Sequence, residues 1–314
     1  MNQSEISAPL VSIVIPTYNQ ASVLPLAIKS CLTQTYPKIE IVVSDDCSSD
    51  NTIEVMRQFE SSDKVRFHHQ GSNIGRVNNY RKLLYEYAAG EWVINLDGDD
   101  YYNDETFIAR AVNALNSSPL KDSTVFIMSG KLVSDKVAGH DRHRPIIKKE
   151  FISLSGKEYF QHAYFKLGNF SHSAALYNRA KAISLPFYSF DSLNTDAHSF
   201  LRLSLLGNVI LLGGTPLTWN IHGNNQSSMY GLSQDAPEWK AMVDVANFSK
   251  RFLSLEEVDQ WLQKLKRRED SRRIKQKLSQ FTKSELLTYI LLKSKFDKIH
   301  LRVLIKKFVT PHRQ

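Results

Sequence analysis

Four short apolar runs in the first hundred residues each give way to a polar cluster or turn, and helix-patterned stretches separate them. Residues 10–15 are closed by Pro16 and followed by Thr17-Tyr18-Asn19, and residues 39–43 end in Ser44-Asp45-Asp46. Residues 65–67 precede a turn between Gly71 and Gly75, and residues 92–96 run directly into Asp97-Gly98-Asp99-Asp100. Helical spacing covers 23–32 and 77–87, and Asp50-Asn51-Thr52 supplies N-cap residue types for a helix reaching Phe59. A further helix over roughly 105–115 and a strand over 124–128 continue the alternation. Strands joined by helices of this length need crossover connections. The expected fold is therefore α/β, Rossmann-like, with a mostly parallel sheet covered by helices on both faces. Ligands of such sheets sit beyond the carboxyl ends of the strands, so the clusters after the first, second and fourth strands should meet on one rim.

Composition sets the outer limits. A chain of 314 residues, 42% hydrophobic and 23% charged, buries a sizeable core and excludes disordered, collagen-like and disulfide-scaffold classes. Two cysteines, Cys31 and Cys47, read as small apolar fillers in a reducing compartment. The start MNQSEISAPL lacks a secretory pattern, and no apolar run reaches the eighteen or so residues of a spanning helix. The expectation is a cytoplasmic protein, soluble or peripheral on a membrane face.

The net charge of +8 is concentrated at one end. Between residues 264 and 307 stand fifteen Lys/Arg against four acids, which leaves residues 1–263 net negative. A basic tail on an acidic body argues against reading the whole chain as a nucleic-acid binder. The middle, about 130–225, is aperiodic and rich in His and aromatics. Beyond Pro237 helical patterns cover 238–253, 256–280, 284–294 and 298–308. In the last of these Leu301, Leu304, Ile305 and Phe308 form an apolar stripe beside Lys298, Arg302 and Lys306. Such a helix lies on an anionic bilayer or packs on the body with its charges in water.

Asp97 and Asp99 are two apart at a strand end, so both side chains point the same way, and Gly98 between them permits close approach of a ligand to the backbone. Carboxylates crowded at one rim repel unless a cation joins them. Mg²⁺ or Mn²⁺ with diphosphate oxygens completing its shell meets that need.

Val11-Ser-Ile-Val-Ile-Pro-Thr-Tyr-Asn19, Val42-Val-Ser-Asp-Asp46 with Ser48-Ser-Asp-Asn-Thr52, Asn73-Ile-Gly-Arg76 and Leu96-Asp-Gly-Asp-Asp100 together resemble the family 2 glycosyltransferases of the GT-A fold. The resemblance implies a glycosyltransferase domain over 1–229, with a nucleotide-sugar half (1–128) and an acceptor half (129–229), and a basic helical region over 230–314. It implies that Pro16, Thr17 and Tyr18 lie beside the nucleotide base, that Asp46 hydrogen-bonds the base and that Arg76 lies near the base or phosphates. Asp97 would face the ribose or metal, and Asp99 would ligate the metal.

The family commonly places an acidic pair before a helix with an apolar face. Asp196 takes that position, with Thr195 in place of the first acid and Asp191 as a rival, and would serve as the general base. The segment from Trp219 to Ser228 is similar to one whose His reaches the metal, so His222 is a candidate third protein ligand; Asn220 stands where the family often has Arg. Neutral imidazole favours Mn²⁺ slightly. His172, in Asn169-Phe-Ser-His-Ser173, lines the sugar pocket or is a buried structural residue; the remaining histidines carry no assignment.

The implied reaction is inverting transfer from a nucleotide diphosphate sugar, a UDP-sugar above others, to a glycan or lipid-linked saccharide acceptor. Surface polysaccharide, lipopolysaccharide or O-antigen synthesis is the implied setting. Two rivals are a Mg²⁺-dependent phosphatase with Asp97 as nucleophile and a basic nucleic-acid module built on the tail. The first expects its aspartates after the first strand, and the second ignores the acidic body.

Overall fold

The computed structural model describes residues 8–167, 170–222 and 235–279. The chain divides into two compact units, Met1–Phe248 and Ser249–Gln314. The first begins with β1 (Val11–Thr17), α1 (Leu24–Leu32), β2 (Ile39–Asp45), α2 (Thr52–Arg57) and β3 (Val65–His69). Next come α3 (Arg76–Lys82), prolonged by a π turn over Leu83–Tyr87, and β4 (Trp92–Asn95). These four strands pair in parallel in the order β3-β2-β1-β4. All seven residues of β1 are buried, which is why the strand, broken only by Ser12 before Thr17, reads as an apolar run rather than an alternation. Ile13 and Ile15 of β1 share one core with Leu24 and Ile28 of α1 and with Ile41 and Val43 of β2. Each such side chain contributes about 1.5–3 kcal/mol by leaving water.

Pro16 does not stop β1, contrary to expectation. It lies within the strand opposite Ser44 of β2. The ladder to β4 ends at Val14 and Asn95, so the edge that Pro16 presents needs no N–H donor.

The chain continues through β5 (Tyr101–Tyr102), α4 (Phe107–Ser117), β6 (Thr124–Asp135), β7 (His140–Arg144) and β8 (Phe151–Ser155). Short helices α5 (Gly156–Glu158) and α6 (Tyr164–Leu167) flank a second π turn. Then follow β9 (Ala175–Asn178), α7 (Arg179–Ile183), α8 (Thr195–Ser204), β10 (Asn208–Ile221) and α9 (Asp235–Ser249). The complete sheet runs β3-β2-β1-β4-β9-β6-β10-β5, with β7 on β6 and β8 on β10. β9 is antiparallel to both β4 and β6, and β10 is parallel to β6. Two reversals cancel: β6 and β10 point the same way as β1–β4, and their carboxyl ends rise on the same edge of the sheet.

α10 (Leu255–Ser279) lies in the second unit. The helices expected over 284–294 and 298–308, with the basic amphipathic stripe, lie outside the described residues. No described helix is long and apolar enough to cross a membrane.

Candidate active site

The loops after β1 and β2 lock together. Asn19 and Cys47 have φ of 53° and 63°, the left-handed region that Asn tolerates better than most side chains. The Asn19 backbone N–H donates to Ser48 Oγ at 2.8 Å, and Ser49 N–H donates to Asn19 Oδ1 at 2.8 Å. Asp45, fully buried, accepts from Ser48 N–H at 3.1 Å and pairs with His69 Nδ1 at 2.7 Å. Thr17 is buried in this junction, while Tyr18 stands 49% exposed at its lip.

Asp46 takes the backbone N–H groups of Ile74 and Gly75 at 2.8 and 2.9 Å, one on each carboxylate oxygen. Its visible task is therefore to hold the loop whose next residue is Arg76, the first of α3. Arg76 Nη2 donates to the Ser192 carbonyl at 2.8 Å, and its guanidinium lies 5.4 Å from the Tyr80 ring centroid. Tyr80, the charges of Asp97 and Asp196 and the hydrogen bond outweigh the cost of burial and keep this guanidinium firmly protonated.

Asp97 is gripped from two sides. Tyr80 Oη donates to Oδ1 at 3.0 Å, and His172 Nε2 lies 3.2 Å from Oδ2. Burial alone raises the carboxyl, but the His172 charge and hydrogen bond, then Arg76 and Tyr80, bring it down to about 2. Burial pushes His172 toward the neutral form and Asp97 more than reverses this, so its pKa is raised. His172 is thus the partner of Asp97, backed by Tyr188 Oη at 3.3 Å from Nδ1. Gly98 packs against the turn after β1. A Cβ there would run into the Gln20 amide and lie 3.3 Å from the Pro16 carbonyl oxygen. The protein's own chain after β1 thus approaches this position closely.

The end of β10 returns to the same place. His222 Nε2 lies 3.0 Å from Asp99 Oδ2, Asn220 Nδ2 donates to the Asp99 carbonyl at 2.8 Å, and Asn220 N–H donates to Asp100 Oδ1 at 3.0 Å. The rest of the expected segment, 223–228, lies outside the described residues, as does Asn169. Burial, then the neighbouring carboxylates, raise the pKa of both Asp99 and Asp100. Three crowded acids, of which Asp99 and Asp100 resist ionisation, fit a divalent cation. Among the described residues no group of three or more His, Cys, Asp or Glu is arranged as a ligand cluster. A carboxylate oxygen and an imidazole nitrogen, with diphosphate oxygens and water supplying the rest, suit the sparse protein shell typical of Mg²⁺ and Mn²⁺ at phosphates.

Asp196 occupies the first turn of α8 and is half-buried. Its carboxylate makes no hydrogen bond among the described residues, yet its charge acts on Arg76, Lys131, His172 and Tyr188. Asp191 is exposed beside a cleft of about 650 Å³ that Arg76, Arg81 and Tyr188 also line. Two residues escaped the sequence reading. Lys131 sits in β6 beyond the residue expected to end it, its Nζ 4.2 Å from the Trp219 ring centroid and its charge acting on Asp100 and Asp196. Glu238 of α9 accepts from Asn194 N–H and Nδ2 at 3.2 and 3.0 Å and pairs with His198 Nε2 at 3.2 Å. No local pattern marks either residue; only the strand register and the α8–α9 contact do.

Residues 12–185 match the family described as Glycosyl transferase family 2. In sequence the chain is similar to the poly(ribitol-phosphate) beta-N-acetylglucosaminyltransferase TarS of Staphylococcus aureus, 31% identical over 118 residues, 37% of this chain and 18% of TarS. It is also similar to the GalNAc(5)-diNAcBac-PP-undecaprenol beta-1,3-glucosyltransferase of Campylobacter jejuni, 38% identical over 98 residues, 29% of this chain and 30% of that one. The matched segments therefore span less than a third of these relatives. Among solved structures, TarS 1–349 with UDP-GlcNAc superposes with a TM-score of 0.60 at 19% identity, covering 80% of this chain and 69% of that one. The mannosyltransferase PcManGT of Pyrobaculum calidifontis, with GDP-Man and Mn²⁺, gives 0.52 at 14%, covering 97% and 87%. At these identities what is shared is the fold.

Proposed function

The chain belongs to glycosyl transferase family 2 and has its GT-A fold, and on that footing we propose that it moves a sugar from a nucleotide diphosphate sugar to a hydroxyl of a glycan acceptor. The observation that carries this reading is Asp196, a half-buried carboxylate without a hydrogen-bond partner among the described residues, set where its charge acts on Arg76 and His172 beside Asp97.

In the proposed reaction an acceptor oxygen attacks the anomeric carbon from the face opposite the diphosphate. Asp196 receives the hydroxyl proton as the new C–O bond forms, and the bond to the diphosphate breaks with its electron pair. A single displacement inverts the anomeric centre. Thr17 and Tyr18 flank the base, Tyr18 offering its exposed ring, and Arg76 faces the phosphates with a permanent positive charge. Mn²⁺ or Mg²⁺ held by Asp99 and His222 would offset the charge developing on the departing diphosphate. Asp97, fixed by Tyr80 and His172, orients ribose or metal. The phosphatase alternative loses ground because both oxygens of its nucleophile, Asp97, are already engaged.

A UDP-sugar is the favoured donor, since TarS is described with UDP-GlcNAc. A surface glycan or lipid-linked saccharide is the favoured acceptor, since the named relatives act on poly(ribitol phosphate) and on an undecaprenol-linked saccharide. The proposed reaction is set in the cytoplasm, with the basic tail as the proposed contact to an anionic membrane face. The test is a thermal-shift series of nucleotide sugars with and without Mn²⁺, followed by transfer assays on Asp196→Asn. Selective, metal-dependent stabilisation by one nucleotide sugar supports the reading. Indifference to every nucleotide diphosphate sinks it.

A further inference from the structure

The β6–β7 ribbon carries charge that the proposed chemistry leaves unused. Residues 136–149 hold five Lys/Arg (Lys136, Arg142, Arg144, Lys148 and Lys149) and two His against one acid, Asp141, in a body that is otherwise net negative. Every residue of β7 is exposed.

Register sorts these charges onto faces. Residues directly opposed in an antiparallel pair share a face. Lys131 opposes Arg144, Val133 opposes Arg142 and Asp135 opposes His140. On the other side of β6, Trp219 of β10 lies opposite Val133, its ring 4.2 Å from Lys131 Nζ. One face therefore reads Lys131 beside Arg144 and then Arg142 and His140 outward from the rim, the β7 residues about 6.6 Å apart, with the half-buried Trp219 against Lys131. The opposite face turns inward at His143, whose Nδ1 meets Thr215 Oγ1 at 2.8 Å. Arg142 has Asp135 at 3.6 Å. Of the two cations placed directly across the strand pair, Lys131 has Asp100 and Asp196 to balance it, whereas Arg144 makes no ion pair among the described residues.

We propose that this face is the track for an acidic acceptor, a glycan bearing carboxylate or phosphate groups along its length, with its terminal sugar on Trp219 and its reacting hydroxyl toward Asp196. The word acceptor rests on the function proposed above; the affinity of the ribbon for an anionic glycan does not.

The test is hydrogen–deuterium exchange on the full chain with an oligogalacturonate of about ten sugars and, in parallel, its uncharged methyl ester. The acid form should slow exchange over residues 131–144 and the ester should not. The double variant Arg142→Glu/Arg144→Glu should lose this protection and raise the apparent Kd about tenfold, with its melting temperature and nucleotide-sugar shift unchanged. Protection confined to the basic C-terminal residues overturns the proposal, as does equal protection by the ester. Ribbon protection by phosphatidylglycerol vesicles but not by oligogalacturonate makes it a membrane contact and likewise overturns it. Failure of every nucleotide sugar to bind would count against the glycosyltransferase reading and leave the exchange result to decide this one.

Discussion

Glu238 receives two hydrogen bonds from Asn194, one from the backbone N–H and one from the side-chain amide. Asn194 is the N-cap of α8 but supplies no side-chain cap of its own, so a carboxylate from α9 steadies the turn that carries Asp196. Glu238→Ala should therefore lower the transfer rate, by about tenfold for a displaced base, while nucleotide-sugar stabilisation stays unchanged and Glu238→Gln recovers part of the loss. Measured kcat equal to wild type would disconnect α9 from the base.

Removing the proposed base itself is a harsher change. Asp196→Asn should cost about 10²–10⁴ in transfer rate, the usual range for a general base, with little effect on donor binding because Asp196 holds no structural hydrogen bond among the described residues. Steady-state kinetics beside calorimetric titration of the donor separate the two quantities.

Metal dependence should follow Asp99. Asp99→Ala should abolish the extra stabilisation that Mn²⁺ adds to a bound nucleotide sugar, and His222→Ala should weaken it. Chelation of the wild type with EDTA should reproduce the Asp99→Ala behaviour in thermal shift. A metal effect that survives Asp99→Ala moves the ion elsewhere.

Far from the site, Glu40 gives a pH signature. It accepts from Ser12 Oγ, from Ala89 N–H at 2.7 Å and from Arg66, fixing the turn into β4. Burial raises its carboxyl, and these donors together outweigh that and leave its pKa lowered. A lowered folded-state pKa contributes stability above the unfolded value of about 4.3, and that contribution is lost as pH falls through the folded value. Glu40→Gln should be less stable by about 1–3 kcal/mol at pH 7, with the gap closing in acid. Urea unfolding at several pH values reads this directly.

β1, β2 and β4 were legible because strands buried on both faces leave little room for polar alternation and read as largely apolar runs, whereas edge strand β3 shows only Val65 and Phe67 between polar residues. Asp97 and Asp99 were legible for a related reason: acids directly beyond such a run have one place to go. What sequence could not supply is anything set by pairing at long range. β9 is four residues wedged between β4 and β6, too short to announce its direction. The Asp97–His172 pair spans 75 positions, so although the motif around His172 drew attention to it, nothing local names Asp97 as its partner. Asp46 was visible as an acid at the rim, but its grip on the Ile74–Gly75 loop depends on where α3 begins. Gly98 was read for what a glycine admits, while the neighbour it admits is decided by the turn after β1.

The double reversal through β9 separates two engineering problems. Strands distant in sequence deliver His222 and Lys131 to the edge where β4 delivers Asp99, so the polarity of that edge is fixed by the sheet and not by the connections beyond it. The segment from Lys136 to Lys149 leaves and re-enters the fold outside the β1–β4 block. If the ribbon is the acceptor track proposed above, grafting one of different length or charge between those points should retarget the protein toward new recipients while the proposed activated-sugar chemistry travels along intact.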